Sequence, residues 1–210
     1  MDHGSGRQAE RAEQPPVVMV RPIIRNDVPT VMELCREAAE PFPAEKLGDH
    51  LDGPTAENQF ALALVAESDG EVIAVVAGAA LAMDLDDLSV SREMIIRRMA
   101  LLDLLAVRAD RRGEGLGRRL AETFIEWYQE REFRIVIANI APGRHDLVSL
   151  YKHWGWHVGA AGAGLAIQIV QDPVLINEEP TRTAWIPLSP EVRQSLSIVP
   201  GISVVTGIFE

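Results

Sequence analysis

The sequence predicts an α/β fold, with a mixed central sheet and helices on both of its faces. Three stretches predict it. Leu104-Leu105-Ala106-Val107 reads as a buried strand, and a loop holding Gly113, Gly115 and Gly117 follows. Leu116, Leu120, Phe124 and Trp127 then recur at helical spacing, with Arg118, Glu122 and Glu126 on the opposite face. Phe133 to Ile140, with β-branched Ile135, Val136 and Ile137, reads as a second buried strand. Phe60 to Glu67 and Glu71 to Leu81 flank Ser68-Asp69-Gly70 and predict a hairpin.

The other elements follow in order. Residues 1–16 are polar, end in Pro15-Pro16 and have no periodicity, so a flexible leader is expected there. Val17 to Ile24 reads as a strand that Pro22 confines to an edge or a bulge. Asn26-Asp27 opens a helix through Val31, Leu34, Cys35 and Ala38, and a second short helix is expected within Phe42 to Leu51. Gly78-Ala79-Ala80 allows a close approach by another backbone or a ligand. Asp84, Asp86 and Asp87 read as an acidic connector, and Ser89 to Met99 as a helix. Beyond the second buried strand, Pro142-Gly143 turns the chain and Asp146 to Trp154 forms a helix stopped by Gly155. Trp156 to Val158, Leu165 to Val170 and Thr183 to Leu188 are strand candidates, and Gly159 to Gly164 a bend. The expected division is a leader (1–16), one domain (17–170) and a C-terminal extension (171–210) packing on the domain or on a second subunit.

The glycine loop has a chemical use. The first turn of a helix leaves backbone N–H groups without intrahelical partners, and the helix dipole adds positive charge. Glycines admit a phosphate to that backbone, and Arg112 and Arg118 can add charge-assisted bonds. A dinucleotide fingerprint needs glycine where Arg118 stands, and the Lys-Ser or Lys-Thr end of a P-loop is missing. The spacing that fits is Arg112-x-x-Gly115-x-Gly117.

That spacing resembles the acyl-coenzyme A pyrophosphate loop of the GNAT-type N-acetyltransferase superfamily. Leu150-Tyr151-Lys152-His153-Trp154-Gly155-Trp156 is similar to a second segment of that family, and the opening from Val20 to Leu34 to its first strand and helix. The resemblance spans roughly Val17 to Val158. It implies that the strands Leu102 to Val107 and Phe133 to Ile140 splay apart to form the cofactor cleft. It implies further that the backbone of Arg112, Gly113, Glu114, Gly115, Leu116 and Gly117 holds the pyrophosphate. Leu105 and Val107 would present backbone groups to the pantetheine arm, and Tyr151 would protonate the departing thiolate. The reference pKa values of thiol and phenol, about 8.5 and 10, make that transfer feasible. Family members carry asparagine seven residues before the tyrosine. Arg144 stands there in this chain, and Asn139 is the nearest asparagine, so either Asn139 or Arg144 contacts the cofactor or that contact is absent.

Asp103 opens the strand that ends at Val107 and is the candidate general base, against the alternative of an ordinary strand-end pair. His145, His153 and His157 lack metal-ligand spacing, and one cysteine, Cys35, excludes an intrachain disulfide, so no metal is expected. A net charge of −11 argues against a nucleic-acid partner. No stretch is long enough to span a bilayer and no secretory signal opens the chain, so a cytoplasmic protein is expected. The expected activity is transfer of an acetyl or other acyl group from acetyl-coenzyme A, or another acyl-coenzyme A, to a small-molecule or peptide amine. The rival is a GNAT-like module that binds or senses acyl-coenzyme A without turnover. Acceptor, acyl length and homodimer formation are left open.

Overall fold

In a computed structural model of the chain, residues 17–38, 42–51, 60–81, 98–169, 172–176, 181–195 and 202–209 are described. Their elements run in the order β1 (Val18–Pro22), α1 (Val28–Glu37), α2 (Ala44–Leu51), β2 (Leu62–Ser68), β3 (Glu71–Ala80), β4 (Met99–Val107), α3 (Leu116–Gln129), β5 (Ile135–Ile140), α4 (His145–His153), β6 (His157–Val158), β7 (Leu165–Ile169), β8 (Asp172–Ile176), β9 (Arg182–Pro187), β10 (Arg193–Ser195) and β11 (Ser203–Thr206). A seven-stranded sheet has the order β1-β2-β3-β4-β5-β9-β6, and a four-stranded sheet the order β10-β11-β7-β8. In the larger sheet only β4 and β5 pair in parallel. The expected mixed sheet with helices on both faces is therefore the fold observed.

Local chemistry explains the elements. Asp69 and Gly70, at φ 53° and 82°, supply the two positive φ values of a tight hairpin turn between β2 and β3. Pro22 lacks an amide hydrogen, and β1 is an edge strand, where a missing donor costs least. On one face of the large sheet Leu116, Leu120, Phe124 and Tyr128 of α3 pack on Leu64, Val76 and Leu102. On the other face Val31, Leu34 and Cys35 of α1 and Leu47 of α2 pack on Val65, Val75, Leu104 and Ala106. The small sheet covers the rest of that second side, with Ile167 and Val205 against Ile135, Ile137 and Trp185. What passes close to Gly78 is protein. A Cβ there would lie 2.1 Å from the Leu101 carbonyl oxygen and 2.7 Å from the Phe124 ring.

Two expectations change. Met99 belongs to β4, not to the end of a helix, because its fully buried side chain joins the Ile135 and Ile137 cluster. The segment from 171 onward is more than an appendage, since β9 inserts into the large sheet between β5 and β6. The leader, the acidic residues Asp84, Asp86 and Asp87, and the expected helix from Ser89 as far as Arg97 lie outside the described residues.

The entrance to α1 is held by charge. Arg21 on β1 donates from Nη1 and Nη2 to Asp27 at 2.7 and 3.0 Å, and from Nε to Glu67 at 2.7 Å. Asp27 also accepts the Ile24 amide hydrogen at 2.8 Å. The Arg21 guanidinium holds the buried Asp27 carboxyl below the usual carboxylate range, against burial and with help from the Ile24 amide. Asp27→Ala leaves Arg21 with one carboxylate and should cost about 2–3 kcal/mol, read as a lower urea midpoint. The depressed pKa fixes the sign of the pH dependence. Asp27 contributes its full stabilisation above the unfolded carboxylate range of about pH 4, and loses it as pH falls towards its folded value. The stability gap between wild type and Asp27→Ala should therefore narrow in acid.

Candidate active site

The site begins where two strands part. β4 and β5 pair from Met99↔Ile135 to Leu102↔Ala138 and no further. Beyond that point β4 continues along β3 as far as Val107↔Ala74, while β5 continues along β9 as far as Ile140↔Arg182. Each strand keeps its outer neighbour while the inner edges separate. A bulge marks the place: Leu104 pairs with Ala77 and Leu102 with Gly78, so Asp103 is the extra residue. The extra residue re-phases the strand. Ala100 and Leu102 face α3, whereas Leu104 and Ala106 face α1, which turns Leu105 and Val107 towards α3.

A cavity of about 490 Å³ occupies the gap and reaches the glycine loop. Its walls include Asp103, Leu105, Val107, Arg112, Gly113, Gly115, Leu116, Gly117, Arg118, Asn139, Arg144 and Tyr151. Glu114, expected in the loop contact, is outside this lining; its carboxylate faces solvent and pairs with Arg111 at 2.7 Å, which holds it below the usual range. The lining also includes Ala38, Leu147, Leu150, His153 and Trp154, which the sequence reading did not assign to the site. A signal for part of this group existed: Leu147, Leu150, Tyr151 and Trp154 follow i, i+3, i+4, i+7 spacing on α4.

The loop leaves its backbone approachable. Gly113 and Gly115 sit at φ 87° and 82°, a left-handed conformation that glycine adopts without strain. Gly115 is the N-cap of α3 and supplies no side-chain cap, so α3 presents amide hydrogens at its first turn. A Cβ on Gly117 would lie 3.4 Å from Val107 Cγ2 and 3.6 Å from the Trp154 ring, ordinary contact distances at the floor of the cavity.

Two arginines close the cleft from opposite sides. Arg112 donates to the Val107 carbonyl at 3.1 Å and reaches the Glu37 carbonyl at 3.4 Å. Arg144 donates to the Ala38 carbonyl at 3.2 Å and to Asp146 at 3.0 Å, holding that carboxyl low. The last carbonyls of α1, which lack helical partners, thus bind one cation from the β4 side and one from the α4 side. The Arg108 amide bonds back to Ile73 on β3. Strand alternation then directs the backbone groups of Val107 and Leu105 away from β3, into the gap.

Tyr151 is buried at the wall, with its ring centroid 4.8 Å from that of Trp156 and 5.9 Å from that of Trp154. Asp103 lies with its Oδ1 3.7 Å from Lys46 Nζ. Its charge also adds to the burial that pushes the Tyr128 hydroxyl well above the usual phenol value. Tyr128 is placed to bond the Phe60 and Gly78 carbonyls, so its role is in the core. Among the described residues no group of three or more His, Cys, Asp or Glu is gathered as a metal site, and no helix is long and apolar enough to cross a membrane. His157 stacks on Trp185 with centroids 4.1 Å apart.

Comparison with known proteins extends this geometry. The model of the Acetyltransferase (GNAT) family matches residues 29–156. No significant match is found among curated protein sequences. Solved structures do match. The ribosomal-protein-S18-alanine N-acetyltransferase from Escherichia coli is 16% identical, with TM-score 0.55 over 82% of this chain and 95% of that one. The ribosomal-protein-alanine N-acetyltransferase from Brucella melitensis is 20% identical, with TM-score 0.55 over 80% and 99%. A GNAT family N-acetyltransferase from Escherichia coli, in complex with coenzyme A, is 22% identical, with TM-score 0.54 over 94% and 93%. At these identities the likeness is one of fold.

Proposed function

Because the chain belongs to the GNAT acetyltransferase family, we propose that it is an acyl-coenzyme A-dependent N-acyltransferase, moving an acetyl or other acyl group to a primary amine by direct attack. The observation that carries this reading is the parting of β4 and β5 after Leu102, beside the first turn of α3. The residues present fit the co-substrate. Free amide hydrogens and the arginines at the loop suit a pyrophosphate, and the outward backbone of Leu105 and Val107 suits a chain of amides such as pantetheine. The co-substrate supplies an activated thioester.

The protein's own groups then divide the work. The loop and the strand backbone hold the thioester in the gap, which converts a bimolecular encounter into an oriented one. Asp103 accepts a proton from the acceptor ammonium, directly or through water, and Tyr151 donates to the departing thiolate. Asn139 and Arg144 both line the cleft, and either can contact the cofactor. The acidic protein surface favours cationic acceptors. The setting proposed is the cytoplasm.

A second reading, binding without turnover, is favoured by one observation. Arg144 replaces the asparagine expected from the family resemblance, and it is already engaged by Asp146 and Ala38. Two measurements decide. Calorimetry should give saturable binding of acetyl-coenzyme A and none of ATP or NAD. Thiol release across a panel of primary amines should rise above hydrolysis for at least one. Binding with no amine-dependent release would favour the sensing module.

A further inference from the structure

Lysine is scarce here: Lys46 and Lys152 are the only two, beside eighteen arginines. One of the two, Lys46 on α2, is outside the cleft lining but stands beside a residue that belongs to it. Lys46 Nζ lies 3.7 Å from Oδ1 of Asp103, the bulge residue at which β4 leaves β5. The lysine side chain is 55% exposed and the aspartate 20%. A pair so long and so open contributes little to stability. If a fixed cation were wanted, arginine would bind the carboxylate more firmly, and this chain uses arginine nearly everywhere else. What lysine adds is an amine that can shed its proton and act as a nucleophile. The arrangement of ammonium, carboxylate and cleft is the one an external amine acceptor needs.

We propose that Lys46 is an acyl acceptor in cis, modified by the acyl-coenzyme A that the same chain binds. This rests on the acyltransferase reading of the cleft. Asp103 takes one proton from the Lys46 ammonium. The neutral Nζ attacks the thioester carbonyl carbon, an N–C bond forms and the C–S bond breaks. The sulfur leaves with the electron pair and takes up a proton, and the nitrogen loses its second proton to solvent. The products are an N-acyl-lysine and the free thiol, and no other reactant is consumed. The modification removes the positive charge opposite Asp103, so it also alters what the next acceptor meets.

The two-lysine composition makes the test direct. The full chain is incubated with acetyl-coenzyme A and no added amine, and acetylation of Lys46 and of Lys152 (exposed on α4) is followed by peptide mass spectrometry. Lys46 should be labelled at least about tenfold faster than Lys152, because its amine stands beside Asp103, at the point where the proposed thioester gap opens. The rate should not depend on protein concentration, and Asp103→Asn should slow it. Equal labelling of the two lysines, or a Lys46 rate proportional to protein concentration, would overturn the inference. Calorimetry on the same sample separates the layers. Acetyl-coenzyme A binding without a Lys46 mark overturns this inference alone, and absence of binding overturns the reading of the cleft as well.

Discussion

Gly117→Asp is expected to abolish coenzyme A binding in a chain that still folds. A Cβ at Gly117 meets Val107 and Trp154 at ordinary contact distance, and the residue is helical, so the backbone accepts a side chain. Aspartate in the first turn also suits the helix dipole, so the variant should not lose helix stability. Its carboxylate would lie where the pyrophosphate is proposed to bind and would take the amide hydrogens that phosphate needs. Losing two charge-assisted bonds at about 1.5–3 kcal/mol each lowers affinity by roughly 10²- to 10⁴-fold. Gly117→Ala should bind nearly as well as wild type, which separates charge from bulk. Gly115→Asp is a poorer test, because at φ 82° any side chain adds strain of about 1–2 kcal/mol. Unchanged coenzyme A affinity in folded Gly117→Asp would mean that the loop is only a turn.

Tyr151→Phe is expected to leave acyl-coenzyme A affinity close to wild type while turnover falls by roughly 10²-fold or more. The ring packs between Trp154 and Trp156, and phenylalanine keeps that packing; only the hydroxyl is removed. The loss should shrink for donors whose leaving thiol is more acidic, since such a thiolate needs less protonation. A thioester that was merely misplaced would slow all donors alike. Wild-type turnover in Tyr151→Phe would make the tyrosine a core residue or leave the proton to water.

Much of this architecture was legible because it is local. The glycine loop, the four-step spacing of α3 and the Asp69-Gly70 turn each follow from neighbouring residues. The bulge was hidden for a physical reason. Leu101 to Val107 is apolar on both sides of Asp103, so a one-residue shift of phase changes which leucines face α3 without changing the pattern. The small sheet was hidden because β7 pairs in parallel with β11, whose residues lie far along the chain. At the site, the resemblance of the loop assigns Glu114 a backbone role alone, and its side chain turns outward in its bond to Arg111. The spacing of Leu147, Leu150, Tyr151 and Trp154 marks one helical face, but it does not reveal that this face borders an open cleft.

The insertion of β9 has a consequence for biosynthesis. During translation β5 emerges before β9 and has a partner only on its β4 side, and only over four pairs. Its other edge, six residues long and with the donors and acceptors of every second residue, stays unpaired until Arg182–Pro187 arrives. The cleft wall is therefore completed by a contact of high sequence separation, which forms late and slowly. Until then the nascent chain exposes an apolar strand edge of the kind that recruits chaperones or other strands.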